Sequence, residues 1–314
     1  MPATISSPCP WRPRVLPPSP LLPLSPPLAG NPTVRLFVKR DDRYAFTPGS
    51  PLQGNKVRKL MPLLIRPDLP GQCVVSFGGA YSNHVAALSA AGRRFGFRTR
   101  FYIRGEAVSN PVLELARANG AELRFVSRSD YRRKHEPETQ CRLGIAPDAW
   151  VVPEGGSTPG QLAHAGEAYS ETVTQLGHAP DYFCLSAGTG GTAAAVLEAA
   201  GPYATRVEVF PALRGEWLRQ AILDFLPPEA RHLGSRLALH ERFAGRGYAK
   251  FPPEWRLHRP AGAAASRADI GVPGLPPLEP VYTAKLFSGV LDLMRRDYFP
   301  VGSTVVVLHT GGIY

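Results

Sequence analysis

The sequence predicts an α/β fold built on a mainly parallel sheet, on three observations. From residue 34 onward, short runs rich in Val, Ile, Phe and Tyr alternate with longer helix-like segments. The apolar runs are continuous rather than alternating, as strands covered on both faces are. Glycine-rich turns stand where several of these runs meet the next helix. With 314 residues and 44% apolar content, the chain can bury a sizeable core as one large or two medium domains.

In chain order, the expected strands are Val34–Lys39, Cys73–Phe77, Thr99–Ile103, Leu123–Val126, Tyr182–Ser186, Arg206–Phe210 and Thr304–His309. The expected helices are Asn55–Ile65, Ser82–Phe95, Pro111–Ala118, Gln161–Leu176, Gly191–Ala199, Glu216–Phe225 and Tyr282–Arg296. Strand, helix, strand repeated along a chain implies crossover connections and parallel neighbours. Residues 256–280 are rich in Pro, Gly and Ala and read as an irregular connection. Residues 1–30 begin like a signal peptide, with arginines before leucines. Pro17, Pro18, Pro20, Pro23, Pro26 and Pro27 interrupt the apolar stretch, so the segment reads as an extended, poorly ordered arm.

Composition excludes several functions. The net charge is +11, yet the cations are scattered; the densest groups are Arg93-Arg94, Arg132-Arg133-Lys134 and Arg295-Arg296. A nucleic-acid binder concentrates its charge in a stripe or patch, so the excess reads as solvated surface with some attraction for anionic small molecules. No run approaches the ~18 apolar residues of a membrane helix. Cys9, Cys73, Cys141 and Cys184 form no CxxC pair and no Cys/His cluster, so no metal site is expected and a reducing cytoplasm fits. Cys73 and Cys184 fall in strand-like runs and read as core residues.

Ligands of such sheets bind at the carboxyl ends of strands. Three junctions there carry unusual chemistry: Gly78-Gly79-Ala80-Tyr81-Ser82-Asn83-His84, Ala187-Gly188-Thr189-Gly190-Gly191-Thr192 and Thr310-Gly311-Gly312. In the second, the glycines let the backbone approach an anion. The helix N-terminus and the hydroxyls of Thr189 and Thr192 supply donors, which makes a phosphate cup; a plain tight turn is the alternative. It is neither a P-loop nor a dinucleotide fingerprint. In Gly54-Asn55-Lys56-Val57-Arg58-Lys59-Leu60, Lys56 sits in a first helical turn, where the dipole disfavours a cation. A nearby phosphate or helix N-terminus would make it a nucleophile; an ordinary surface lysine is the alternative. Ser82 reads equally as an N-cap, and without a triad partner or a G-x-S-x-G elbow a serine hydrolase is disfavoured.

These motifs occur in order with Pro153-Glu154-Gly155-Gly156-Ser157, Pro280-Val281-Tyr282-Thr283-Ala284-Lys285 and His309-Thr310-Gly311-Gly312. Together, from Val34 to the C-terminus, they resemble the 1-aminocyclopropane-1-carboxylate deaminase / D-cysteine desulfhydrase family of pyridoxal-phosphate enzymes, in the tryptophan-synthase-β-like superfamily. The resemblance implies two open, mostly parallel sheets with helices on both faces and the cofactor, pyridoxal 5'-phosphate, in the cleft between domains. A larger cofactor-binding domain would comprise 31–55 and 160–314, and a smaller domain 56–159. Lys56 matches the lysine of the internal Schiff base, Asn83 the residue at the cofactor ring, and Ser82 the serine that meets the substrate carboxylate or moves a proton. The turn Gly188, Thr189, Gly190, Gly191, Thr192 matches the phosphate loop. Tyr282 matches an active-site tyrosine, Thr283 the residue at the pyridine nitrogen, and Tyr248, in Gly247-Tyr248-Ala249-Lys250, a tyrosine of the substrate pocket. Tyr81, Ser82, Asn83 and His84 would form the substrate-binding stretch. The implied partners are a small amino-acid substrate and a second copy in a homodimer, with no nucleic acid and no membrane.

Deaminases proper carry Glu where Thr283 stands and Leu where Thr310 stands. Both positions therefore resemble the desulfhydrase branch, and α-proton abstraction with β-elimination is expected over cyclopropane ring opening. Tyr81 replaces the usual Gln and is expected to reshape the substrate pocket, Ala284 replaces a usual Gly, and relatives continue past Gly312 with a further loop. The open alternatives are ring opening of 1-aminocyclopropane-1-carboxylate, β-replacement or racemisation, and a non-catalytic binder of the cofactor or of a phosphate ligand.

Overall fold

The computed structural model describes residues 16–24, 33–158, 162–245, 247–248, 250 and 274–313. Ten strands among them form two sheets. The six-stranded sheet has the order β1 (Leu21–Pro23), β2 (Arg35–Lys39), β10 (Thr304–Leu308), β7 (Tyr182–Ala187), β8 (Arg206–Pro211), β9 (Leu237–Leu239). All its neighbours are parallel except β1 against β2. The four-stranded sheet has the order β5 (Glu122–Val126), β4 (Arg98–Arg104), β3 (Cys73–Gly78), β6 (Trp150–Val152) and is parallel throughout.

Both faces of each sheet are covered, which is why the strands read as unbroken apolar runs. Val306 and Leu308 of β10 pack with α6 (Ala163–Leu176) and α7 (Gly191–Ala199). Val305 and Val307, pointing the other way, pack with Leu286, Phe287 and Val290 of α9 (Thr283–Arg295). In the smaller sheet Val74 joins a core with α1 (Asn55–Leu64), α2 (Asn83–Phe95) and α3 (Pro111–Ala118). Val75 and Phe77 meet Tyr102, Tyr131 and Ile145 on the opposite face. The short helices α4 (Arg128–Arg132) and α5 (Pro137–Arg142) and the helix α8 (Trp217–Phe225) complete the set.

Several expectations need correction. Strands β1, β6 and β9 were not expected; each is three residues long, too short to stand out as an apolar run. Helices α4 and α5 are likewise too short to show a period. Residues 16–24 of the arm are extended but not loose: β1 pairs with β2, and Ser19 is buried. The rest of the arm, and 256–273 of the irregular connection, lie outside the described residues. Cys184 is a core residue, whereas Cys73 is only half-buried at the start of its strand.

A buried ion network ties α1 to the larger sheet. Arg58, fully buried, donates to both oxygens of the equally buried Asp41 at 2.9 Å. It also donates to the two oxygens of Glu171 on α6, at 2.8 and 2.9 Å. Lys39 at the end of β2 pairs with Glu171 at 2.6 Å and donates to the Ser19 carbonyl, while the Ser19 hydroxyl donates to Asp41.

Candidate active site

The three glycine-marked junctions and the start of α1 converge on one cavity of about 290 Å³. Its wall includes Asn55, Lys56 and Lys59 from α1, Gly79, Ser82, Asn83 and His84 from the β3–α2 turn, and Ser186 to Gly190 with Thr192 after β7. Tyr248, Tyr282, Thr310 and Gly312 close it. The convergence rests on glycines that no other residue could replace at the same spacing. Gly54 has φ +64°, and a Cβ there would lie 2.2 Å from the Thr310 carbonyl oxygen. A Cβ on Gly312 would lie 2.5 Å from Nδ2 of Asn83.

The turn at 188–192 is built as an anion cup. Gly190 takes φ +93° and ends at the N-terminus of α7, whose first N–H groups have no helical partner. Tyr282 places its hydroxyl 3.0 Å from where a Cβ of Gly188 would stand. Asn55, the residue before Lys56, donates from Nδ2 to Oγ1 of Thr192 at 3.1 Å, so α1 is tied directly to the cup. The ideal Cβ position of Gly191 lies 2.2 Å from Oγ of Ser157 and 3.4 Å from Nζ of Lys59.

Buried polar atoms around the cup lack partners. Oγ of Ser157, Oγ of Ser186 and Nδ1 of His84 have none among the described residues. Lys59 is buried, with no ion pair among the described residues, and burial holds its ammonium well below the usual lysine range, with the Lys56 charge adding to the effect. An isolated buried cation and orphaned hydroxyls are unfavourable unless an anion with several acceptor oxygens completes them. The donor set therefore fits a phosphate group, and Lys56 on the same wall fits an aldehyde. Burial lowers the Lys56 amine to about 8, against an opposing pull from the Glu279 carboxylate.

His84 has a fixed tautomer. Ser76 spends its proton on the Val152 carbonyl at 2.7 Å, so Nε2 of His84 must be the donor in its 2.8 Å bond to the Ser76 hydroxyl. That leaves Nδ1 as a bare acceptor. Desolvation, then the charges of Lys56 and Lys59, push this imidazole well below its usual pKa, so it stays neutral. Ser82 stands at the cap position of α2 but makes no side-chain cap bond; its side chain lines the cavity instead. Tyr248 and Tyr282 share a 2.8 Å hydrogen bond, and burial raises both phenols above the usual tyrosine range.

Two expected site residues lie off the wall, and Gly191 backs it. Tyr81 is 43% exposed and is not among the residues that line the cavity, so its position lends no support to the expected reshaping of the pocket by this phenol. Thr283 is fully buried and also absent from the wall. Its Oγ1 accepts the Glu279 N–H at 2.9 Å and donates to the Glu279 carbonyl at 3.2 Å, so it pins the start of α9. The Glu279 carboxylate accepts from the N–H groups of Val281, Tyr282 and Thr283, neutralising the orphan donors of that helix. Lys59, Ser157, Ser186 and Arg104 are given no role by the sequence reading, although Lys59 and Ser157 stand inside two of its motifs. Lys59 also carries a positional signal: three residues after Lys56, it shares the same helix face.

Comparison with known proteins agrees with this geometry. The pattern of the family described as pyridoxal-phosphate dependent enzyme matches residues 15–213. The 1-aminocyclopropane-1-carboxylate deaminase of Burkholderia vietnamiensis is 30% identical, covering 97% of this chain and 94% of that protein. The enzyme of the same name from Allorhizobium ampelinum is 28% identical, covering 89% of this chain and 87% of its own. A crystal structure of an ACC deaminase homologue superposes with a TM-score of 0.73 at 26% identity, over 94% of this chain and 89% of that one. A fungal L-serine ammonia-lyase from Rhizomucor miehei shares the fold, with a TM-score of 0.63 at 17% identity over 95% of this chain and 94% of its own. With the cup, the lysine and the orphaned donors gathered at one cavity, these likenesses make the chain a member of the pyridoxal-phosphate dependent enzyme family, related to the 1-aminocyclopropane-1-carboxylate deaminases.

Proposed function

We propose that the protein is a lyase or deaminase that removes ammonia from a small amino acid, D-cysteine or a related β-substituted amino acid, by α-proton abstraction and β-elimination. The products would be the 2-oxo acid, ammonia and the released β-substituent (hydrogen sulfide from D-cysteine), with one water consumed in freeing the ammonia. The observation that carries this reading is that Lys56 and the turn at 188–192 line one cavity and are linked through Asn55. Bound pyridoxal phosphate supplies the electron sink for chemistry at Cα. Lys56 would hold it through its amine, Lys59 and the backbone of Gly188 to Thr192 would hold its phosphate, and Asn83 would stand at its ring.

Nζ of Lys56 would serve as the base that takes the proton from Cα of the substrate. Ser82, Asn83 and the N-terminus of α2 present donors to the substrate carboxylate, where the helix dipole favours an anion. Tyr282 and Tyr248, kept protonated by burial, can donate but not act as phenolates at neutral pH. The neutral His84 contributes an acceptor, not a charge. Ring opening of 1-aminocyclopropane-1-carboxylate is the second reading, favoured by the names of the relatives. Thr310, on the cavity wall, weighs against it, because deaminases proper carry Leu there.

The division into units of 31–55 with 160–314 and of 56–159 is supported by membership of the two sheets. A homodimer is supported by the family resemblance. Cytoplasmic location is supported by the unpaired thiols of Cys73, Cys141 and Cys184, and no described helix is long and apolar enough to cross a membrane.

The test is direct. Purified protein should be yellow, and borohydride should attach the cofactor irreversibly to Lys56; Lys56→Ala should lose both the attachment and turnover while keeping its fold by circular dichroism. D-cysteine and β-chloroalanine should then yield 2-oxo acid faster than 1-aminocyclopropane-1-carboxylate does. A colourless protein that takes up no cofactor refutes the reading, and faster release from the cyclopropane substrate selects ring opening.

A further inference from the structure

One cation of the cavity wall, Arg104, has no role in the reading above. It ends β4 as an exposed residue and is among those that line the cavity. In the register of the smaller sheet, Ile103 pairs with Gly78. Arg104 therefore emerges on the neighbouring strand, one position beyond the partner of the residue that opens the Gly79–Ser82 turn. Among the described residues no carboxylate pairs with it; the nearest aromatic contact is the Tyr131 ring, whose centroid lies 5.7 Å from its guanidinium carbon. Among the described residues the one carboxylate residue on the cavity wall, Glu154, pairs with Lys134 at 3.2 Å. Glu154 is thus already matched, and Arg104 is not.

A planar guanidinium presents paired donors that suit a carboxylate, phosphate or sulfonate in two-point contact. A charge set in a concave wall also attracts counter-ions more strongly than one on open surface. With the α-carboxylate assigned to Ser82 and Asn83, a group reaching Arg104 belongs to the substrate side chain. Resting on the functional reading above, we propose that the substrate is an amino acid whose side chain carries a second anionic group, recognised by Arg104. This narrows the β-substituted amino acids to acidic ones.

The holoenzyme is titrated with the D- and L-forms of aspartate, O-phosphoserine and cysteate, and with those of alanine and serine, following the cofactor's absorption. At least one acidic amino acid should saturate at about 10- to 100-fold lower concentration than the neutral ones, as expected for one charge-assisted contact. Arg104→Gln should erase that ratio, and Arg104→Lys should keep part of it, because the charge persists without the fork. Added salt should shrink the ratio for the natural protein but not for Arg104→Gln. Which acidic probe binds tells a carboxylate reader from a phosphate or sulfonate reader. Neutral amino acids saturating as tightly as acidic ones, or a ratio unchanged in Arg104→Gln, would overturn the proposal while leaving the lyase reading in place. If no amino acid perturbs the bound cofactor, both fall together.

Discussion

Lys56 and Lys59 differ in what burial demands of them. Both lose water on entering the cavity wall, but Lys56 feels the Glu279 carboxylate and settles at about 8, while Lys59 feels only another cation and falls further. A free amine is what attacks an aldehyde. At pH 7 a lysine of pKa about 8 is roughly a tenth neutral, against roughly 0.03% for one at 10.5. The rate at which pyridoxal phosphate attaches to the cofactor-free protein should therefore rise with pH and level off above about 8. Stopped-flow absorbance would check this, and a rise that continues to pH 10 would show an amine of ordinary basicity. The tautomer of His84 belongs to the same scale. No sequence pattern reveals that Ser76 gives its proton to Val152, since the partners lie on different strands.

At the scale of elements, the site is a meeting of turns. The glycine-marked ends of β3, β7 and β10 each feed the cavity; positive φ demands glycine at Gly190, Gly311 and Gly312, and at the end of β3 a Cβ on Gly78 would meet the Val85 side chain at 2.4 Å. Gly54 gives the sharpest test. An alanine there would be strained at φ +64° and would drive its Cβ into the Thr310 carbonyl. Gly54→Ala should destabilise the protein by about 1–3 kcal/mol from backbone strain alone, and more from the clash. Urea unfolding would measure that loss. Cofactor affinity should fall in step, because the same clash moves the start of α1 away from the third turn. Unaltered stability and affinity would mean the two turns can separate at no cost. Thr283 illustrates the opposite case. Its place beside Tyr282 implied a role at the cofactor, yet a threonine one residue into a helix can turn back to its own N-terminus, and this one bonds Glu279.

For the molecule as a whole, the helix that carries Lys56 is held by charges rather than by apolar packing alone. Arg58 joins Asp41 beyond β2 to Glu171 on α6, and Ser19 of the N-terminal segment closes the network. Removing the guanidinium would leave the buried Asp41 without its cationic partner and Glu171 with Lys39 alone. Arg58→Met should therefore destabilise by about 3–5 kcal/mol, the usual result of breaking a buried pair from one side. Thermal or urea unfolding of the variant measures it, and a change under 1 kcal/mol would mean that water replaces the guanidinium. The proposed homodimer belongs to this scale too, and sedimentation of the holoenzyme at twice the 34.0 kDa chain mass is the expected outcome.

The order of the longer strands and helices, the glycine-rich turn at 188–192, the place of Lys56 in a first helical turn and the α2 start were legible in local sequence, because apolar periodicity and glycine at strained turns are properties of neighbouring residues. Only the tertiary structure decided that Ser157 and Ser186 would be left without partners among the described residues beside the cup, that Arg104 would line the same cavity with no described carboxylate paired to it, and that Tyr81 and Thr283 would lie off its wall. Those outcomes depend on which distant groups come within hydrogen-bond reach, and on how much water each side chain loses. Both are fixed when the two sheets close on one another, and a linear sequence of residues carries neither.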